Sequence, residues 1–555
     1  MLSPHEVPFG TLVRAAGDRV ARIQIAIALV ATVFAGCDAP PREDPPAAVT
    51  AVDSESRGLR LAERGASPGY VLYSPLISDK TYLIDQAGEV VHMWASDRAP
   101  AGSVYLLDNG NLLRTEREPD VAVFSGGGQA GRIRERTWEG EVVWDFVFAS
   151  EQHLTHHDIE RLPNGNVLAI AWEVKTADEA KRAGREPERV PPAGVWPDMV
   201  IELEPQPPND ARIVWEWHSW DHLVQNVDPA LPNYGDPAQH LGRIDINGDR
   251  RPRESEDDEI ARLRALGYVA DDAEPEPLRS DLMHTNAIHY NPELDQIALS
   301  VPRFNEIWII DHSTTTEEAA GSSGGRWGRG GDLLYRWGNP HAYGRGADSP
   351  QRLFAQHDVH WIAPGLPGAG NLLVFNNGLG TEEAGYSNVV EITPPRDASE
   401  AYVVPAQGAF GPAGPVWVYE APDKTSFHSN FISGAQRLPN GNTLIDEGNN
   451  GRFFEVTPKD EIVWEYLTPY SGAVRMADGS PPHPVEEDEK HAVFRATKIP
   501  PDHPALAGRT LRPLRPQPPI ETAPFPPKKE DDADPNDPAS VPQTQAPAAP
   551  KASGT

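Results

Sequence analysis

Three histidines stand at one place relative to three turns. In HHDIERLPN, His157 lies seven residues before Asn164; in HTNAIHYN, His284 lies seven before Asn291; in HDVHWIAP, His357 lies seven before Pro364. An imidazole changes charge near neutral pH, so it can attack as a neutral nucleophile, carry a proton, or stabilise developing negative charge as imidazolium. Three of them at one register position cost packing and desolvation unless a ligand engages them, which points to a shared site. Zinc is the rival reading, but no cysteine partner and no close histidine pair on a helix accompanies the trio, and a metal set is not expected. Two further turns of the same kind carry Gly102 (GSVYLLDN) and Ser433 (SGAQRLPN) at the equivalent position.

Such a register needs a repeating scaffold. The turn RLPNGN occurs at 161–166 and again at 437–442; Asn-Gly accepts the positive φ angles of a tight hairpin, and both copies are flanked by apolar residues. A second motif, a short alternating strand carrying a tryptophan, recurs six times: GEVVHMW with Trp94, GEVVWDF with Trp144, ARIVWEW with Trp215, DLLYRWG with Trp337, GPVWVYE with Trp417 and DEIVWEY with Trp464. Other short strands precede each copy. Four antiparallel strands per repeat of about fifty residues is the pattern of a β-propeller. The sequence therefore predicts an all-β fold, a six-bladed β-propeller over 67–511, with the tryptophans packed between blades. The stretch HAVFRATKI after the sixth copy reads as a strand that completes the first blade and closes the ring. Because the first strand of a blade is innermost, His157, His284 and His357 would converge on the mouth of the central channel.

An insertion at about 226–280 is too charged for a blade core and reads as a helix and loop on one face. Its DINGD has the composition of a calcium loop, but the glycine comes too early and the following glutamates keep no fixed register. Residues 38–66 read as a polar tether, and 512–555, rich in Pro, Ala, Lys and Asp, as a disordered tail. Residues 1–37 read as an export signal: Arg14, Arg19 and Arg22 precede an apolar run from Ile23 to Phe34 that is too short to span a bilayer. Its end, FAGC, resembles a bacterial lipobox and makes Cys37 the expected lipidated residue, with Phe34 where leucine is commoner. Export, a lipid anchor, and a periplasmic or cell-surface location follow as expectations. Cys37 is the only cysteine, so no disulfide forms within the chain. With 82 acidic against 49 basic residues and a net charge of −33, nucleic acid is excluded as a partner over most of the surface, and an anionic substrate needs a local basic pocket. Nothing in the sequence sets the oligomeric state.

Taken together, HHDIERLPNGN, WEWHSWDHLVQ, HTNAIHYNPELDQIALSV, NEIWIIDHST, QHDVHWI, LLVFNNG and ISGAQRLPNGNTLI, spread over Gly69 to Ile499, make the chain resemble the bacterial arylsulfate sulfotransferases, which are secreted six-bladed propellers. The resemblance implies transfer of a sulfuryl group from an aryl sulfate donor to a phenolic acceptor, without nucleotide or other cofactor, through a transiently sulfurylated histidine. QHDVHWI followed by LLVFNNG matches the nucleophile segment and puts that role on His357. HTNAIHYNP matches a second active-site histidine, His284; HHD supplies a third, His157 or else its neighbour His156, which is otherwise a candidate for substrate binding. The family arginine is expected at LSVPRF, where Pro302 takes its place and Arg303 follows. His428, in SFHSNF, is out of register and is a candidate substrate contact at the mouth or a structural residue. A ligand-binding propeller without turnover, or a sulfatase using water as acceptor, are the alternatives, and the displaced arginine favours the former.

Overall fold

Short, alternating, β-branched-rich strands bounded by Gly, Pro and Asn turns build the ring in a computed structural model, which describes residues 57–118, 123–124, 126–249, 256–266, 268, 276–379, 385–472 and 489–520. Six antiparallel sheets of four or five strands follow one another around an axis. From the axis outward, blade one is Val493–Ile499, Tyr70–Pro75, Lys80–Ile84 and Val90–Ala95, so its inner strand comes from beyond blade six. Blade two starts at Pro100–Leu106, blade three at His153–Arg161, blade four at Ala287–Asn291, blade five at His357–Trp361 and blade six at Gly434–Arg437. Pairing of Val71 with Lys498 and Leu72 with Thr497 closes the ring and leaves that blade no open inner edge.

The six tryptophans lie on the outermost of the four blade strands and link each blade to the next. Trp94 Nε1 donates to Thr137 O (3.2 Å), Trp144 to Asp210 O (2.9 Å), Trp215 to Thr314 Oγ1 (3.2 Å), Trp337 to Pro412 O (2.9 Å) and Trp464 to Gln86 O (2.9 Å). Trp417 is instead covered by the Arg437 guanidinium of blade six, 5.0 Å from its ring centroid. Five of the six indoles thus bury their rings between sheets and satisfy their one donor in the neighbouring blade.

Three boundaries differ from expectation. Gly58–Ala62, within the stretch read as tether, is a fifth strand of blade six, pairing with Ile462–Leu467 and covering that outer edge. Its five residues sit among charged neighbours, which hid their alternation. Residues 512–520, read as disordered tail, run along the outer strand of blade one: Leu514 N–H donates to Val90 O (2.8 Å), and the Gln517 amide accepts from Val90 N–H (2.8 Å). A proline-rich chain is already extended, so one glutamine can pair it to a strand edge. The insertion is more than a surface loop. Ile244 and Ile246 join the core between blades three and four, and a helix, Glu256–Ala265, lies at the channel mouth. The described residues form one compact unit, with no separate domain among the described residues of the insertion. In DINGD, Asp249 is taken by Arg185, whose Nη2 donates to its Oδ2 (3.0 Å), and by Arg189; no cluster of metal-ligating side chains occurs among the described residues. Cys37 and the apolar run before it lie outside the described residues.

Candidate functional site

The inner strands do not run straight to the mouth. His157 and His284 have left-handed backbones, with φ of 53° and 58°, uncommon outside glycine and a local strain that surrounding packing must maintain. Asp358, next to His357, is left-handed too (φ 57°). These residues interrupt strand alternation where the blade meets the axis, and all three imidazoles line one cavity together with Arg303. The His157 and His284 rings meet edge to face with centroids 4.5 Å apart. At the fourth equivalent position, a Cβ on Gly102 would lie 2.1 Å from His157 O, so glycine there lets the His157 backbone pass.

Each imidazole has its own anchor. His357 Nδ1 lies 2.8 Å from Asn377 Oδ1 and 3.1 Å from Ala355 O. The Asn377 amide donates to Ser429 O and Ile432 O, both at 2.9 Å, which commits its oxygen to accepting. The proton of neutral His357 therefore sits on Nδ1, and Nε2 keeps its lone pair. Burial, reinforced by the field of His284, lowers its pKa to about 3 against these two hydrogen bonds, so the ring is neutral at pH 7. His284 Nδ1 bonds Asp281 Oδ2; burial raises the Asp281 pKa, but attraction to His284 and the hydrogen bond outweigh it and hold the carboxyl at about 2. His157 is pushed well below the ordinary histidine range, by burial first and then by His284, His156, His357 and Arg495.

Arg303 is buried, its Nη2 donating to Glu259 Oε1 of the insertion helix (2.9 Å), while its Nε has no hydrogen-bond partner among the described residues. Burial opposes its charge, yet Glu259 and Asp281 raise its pKa above the usual value, and Arg303 in turn holds Glu259 down against its own burial. The cation survives Pro302. Above this polar floor stands an apolar wall: Leu263, Leu266 and Tyr268 from the insertion, Phe431 and Ile432 before blade six, and Phe494 from the ring-closing strand.

Two sequence candidates lie elsewhere. His156 points away from the cavity, stacked on Trp172 with ring centroids 4.2 Å apart and its Nδ1 2.8 Å from His157 Nδ1; it lies behind His157 and is absent from the cavity lining. His428 is absent from the lining; its ring faces Gly385 and its N–H donates to Glu447 (3.0 Å). Other residues carried no recognised signal. Gly127 and Gly128 roof the histidines, a Cβ on Gly128 falling 2.3 Å from His157 Nε2. Asn377 sat in plain view in LLVFNNG, beside the segment that drew attention. Arg495 bridges Asp158 of blade three (2.9 Å) and Asp358 of blade five (2.9 Å) inside the channel, and alternation along HAVFRATKI was the only hint of its direction.

This floor combines a neutral imidazole with a free lone pair, an imidazole backed by a carboxylate, and a guanidinium, beneath an apolar wall. It is equipped to take an anionic group on an aromatic body and to accept that group on nitrogen. Residues 70–468 match the family model described as Arylsulfotransferase (ASST). None of the curated proteins matches the chain. Among solved structures, a protein of unknown function from Bacteroides caccae is 10% identical over 78% of this chain and 99% of its own, with a TM-score of 0.38. Virginiamycin B lyase from Staphylococcus aureus is 12% identical over 80% of this chain and 99% of its own, with a TM-score of 0.32. Neither similarity bears on activity.

Proposed function

The chain belongs to the arylsulfotransferase family, whose chemistry is sulfuryl transfer, and from that premise we propose that it moves the group from a phenolic sulfate ester to a phenol in two half-reactions through His357. The observation that carries this reading is the Nδ1–H of His357 held by an Asn377 oxygen that can only accept, which leaves Nε2 as a neutral nucleophile.

In the first half, the Nε2 lone pair forms a bond to sulfur while the sulfur–oxygen bond to the aryl group breaks, its electron pair leaving on the phenolate. Charge gathering on that oxygen and on the sulfuryl oxygens is met by Arg303 and by His284, which Asp281 holds in place through Nδ1. In the second half, a phenol gives its O–H proton to a cavity imidazole and its oxygen attacks sulfur. The sulfur–nitrogen bond breaks and its electron pair returns to His357 Nε2. The apolar wall favours an aromatic acceptor over water.

Intact-mass measurement after brief exposure to a chromogenic aryl sulfate tests this. One SO3 group should add per chain, vanish when a phenol is supplied, and never form in His357→Ala. Phenol release without an adduct would overturn the relay. Clearance equally fast without a phenol would make the protein a sulfatase, and binding without release a non-catalytic propeller. Export and lipidation at Cys37 are part of the proposal, supported by the charged, apolar and FAGC sequence alone; Cys37→Ser should abolish acyl labelling and free the protein from membranes, and retention without label would refute it.

A further inference from the structure

Behind His157 lies a second buried imidazole, and behind that a carboxylate. His156 Nδ1 is 2.8 Å from His157 Nδ1, and His156 Nε2 is 3.4 Å from Asp198 Oδ1. All three residues are buried. At 3.4 Å, His156 Nε2 and Asp198 Oδ1 meet as an electrostatic contact short of hydrogen-bond geometry, and neither atom has another hydrogen-bond partner among the described residues. Asp198 is held in place through its second oxygen, which accepts from Thr285 N–H at 2.7 Å. His156 is held by its stack on Trp172, the two rings inclined by 12°.

The proton order follows from donor and acceptor types. A carboxylate only accepts, so the proton of His156 belongs on Nε2. His156 Nδ1 is then an acceptor, and the contact to His157 requires the proton of His157 on its Nδ1. The Nε2 of His157, next to Gly128 at the cavity lining, keeps its lone pair.

We infer that Asp198 and His156 are positioning residues that fix the tautomer of His157, making His157 the imidazole that takes the proton of the acceptor phenol. This rests on the two-step reading above, in which the acceptor must lose an O–H proton before its oxygen attacks sulfur. His156 never touches substrate; it acts by dictating which nitrogen of its neighbour can accept.

Two substitutions separate positioning from packing. His156→Phe keeps a ring against Trp172 but offers His157 no acceptor. His156→Asn gives up the stack but places an amide oxygen near the position of Nδ1. In His156→Phe the burst of donor phenol should stay within a few-fold of native, while transfer to a weakly acidic phenol should slow by about 10²-fold, the lower end for loss of a general base, and more acidic phenols should suffer less. His156→Asn should restore transfer to within a few-fold. Nitrogen-15 spectra of histidine-labelled protein read the tautomer directly: His157 should carry its proton on Nδ1 in the native chain and on Nε2 in His156→Phe. Equal losses in the two variants, equal slowing of both half-reactions, or a native His157 protonated on Nε2 would each overturn the inference. The last of these needs no variant to fold. The nitrogen spectra do not depend on turnover, so absence of a sulfohistidine would sink the two-step reading and leave the tautomer assignment standing.

Discussion

Glu259 pairs with Arg303, which with Arg262 is one of two arginines that line the cavity, and carries a charge of the wrong sign for an anionic substrate. Replacing it by glutamine keeps an oxygen for Arg303 Nη2 to donate to, now at 2.9 Å, and removes the charge. Its side chain is 15% exposed, so the field is only partly screened. With a sulfate centred across the guanidinium at roughly 6 Å from the carboxylate and an effective dielectric of about 20, the repulsion removed is about 3 kcal/mol, or about a hundredfold in affinity. Allowing for water at the mouth, Glu259→Gln should tighten aryl sulfate binding by about 10- to 100-fold. The assay is a titration in a His357→Ala background, where binding is measured without turnover. The gain should shrink as salt is added. An unchanged or weaker affinity would show that Glu259 serves only to orient Arg303, and the electrostatic argument would fail.

Other substitutions probe the anchors. Gly128→Ala places a Cβ 2.3 Å from His157 Nε2 on a backbone at φ 76°; turnover should fall at least tenfold, whereas Gly140→Ala, equally left-handed (φ 92°) but in open space, should leave it unchanged, and equal effects in a chromogenic assay would count against a crowded roof. Asn377→Leu removes the acceptor of the His357 proton and orphans two carbonyls; kcat should drop by about 10- to 100-fold, on the basis of about 1–3 kcal/mol for a buried hydrogen bond, with the rate of adduct formation as the readout. Burial holds His289 at about 3, below the value of about 6.5 expected of an unfolded histidine. Between these values the native state binds fewer protons than the unfolded one, so stability is full above about pH 6.5 and declines as pH falls towards 3, by up to about 1.4 kcal/mol per pH unit for one group. Urea unfolding at pH 6.5, 5.5 and 4.5, as chosen test points of about one pH unit spacing, should show a shallower loss in His289→Leu; an identical slope would refute the assignment.

The six-bladed ring was readable because its determinants are local: a turn dipeptide, a two-residue alternation and a tryptophan at each fourth strand recur wherever a blade ends. The convergence of His157, His284 and His357 was readable too, because register within a repeat converts directly into position around an axis. Pieces that reach the site from outside the repeat were not. Glu259 arrives on a helix within the insertion, and Gly128 on a loop whose glycines look like any turn. Arg303 sits one residue past the expected place, yet its guanidinium lines the same cavity, since a side chain of that length absorbs a one-residue shift. His156, read as a substrate contact, packs behind His157 on Trp172, a placement that register along the strand did not reveal because the backbone turns left-handed at His157. Gly58–Ala62 and 512–520 were missed because their order comes from blade edges supplied elsewhere in the chain.

The ring-closing strand makes the cavity a reporter of topological completion. Tyr70 pairs with Ile499, among the longest loops this fold must close, and Phe494 and Arg495 lie on the strand that closes it. Until Val493–Ile499 docks, the apolar wall lacks Phe494, and Asp158 of blade three and Asp358 of blade five have no Arg495 between them. Loop-closure entropy makes that docking a late step. A partly folded chain therefore lacks an assembled cavity, and His357 meets its apolar wall only once the circle is whole.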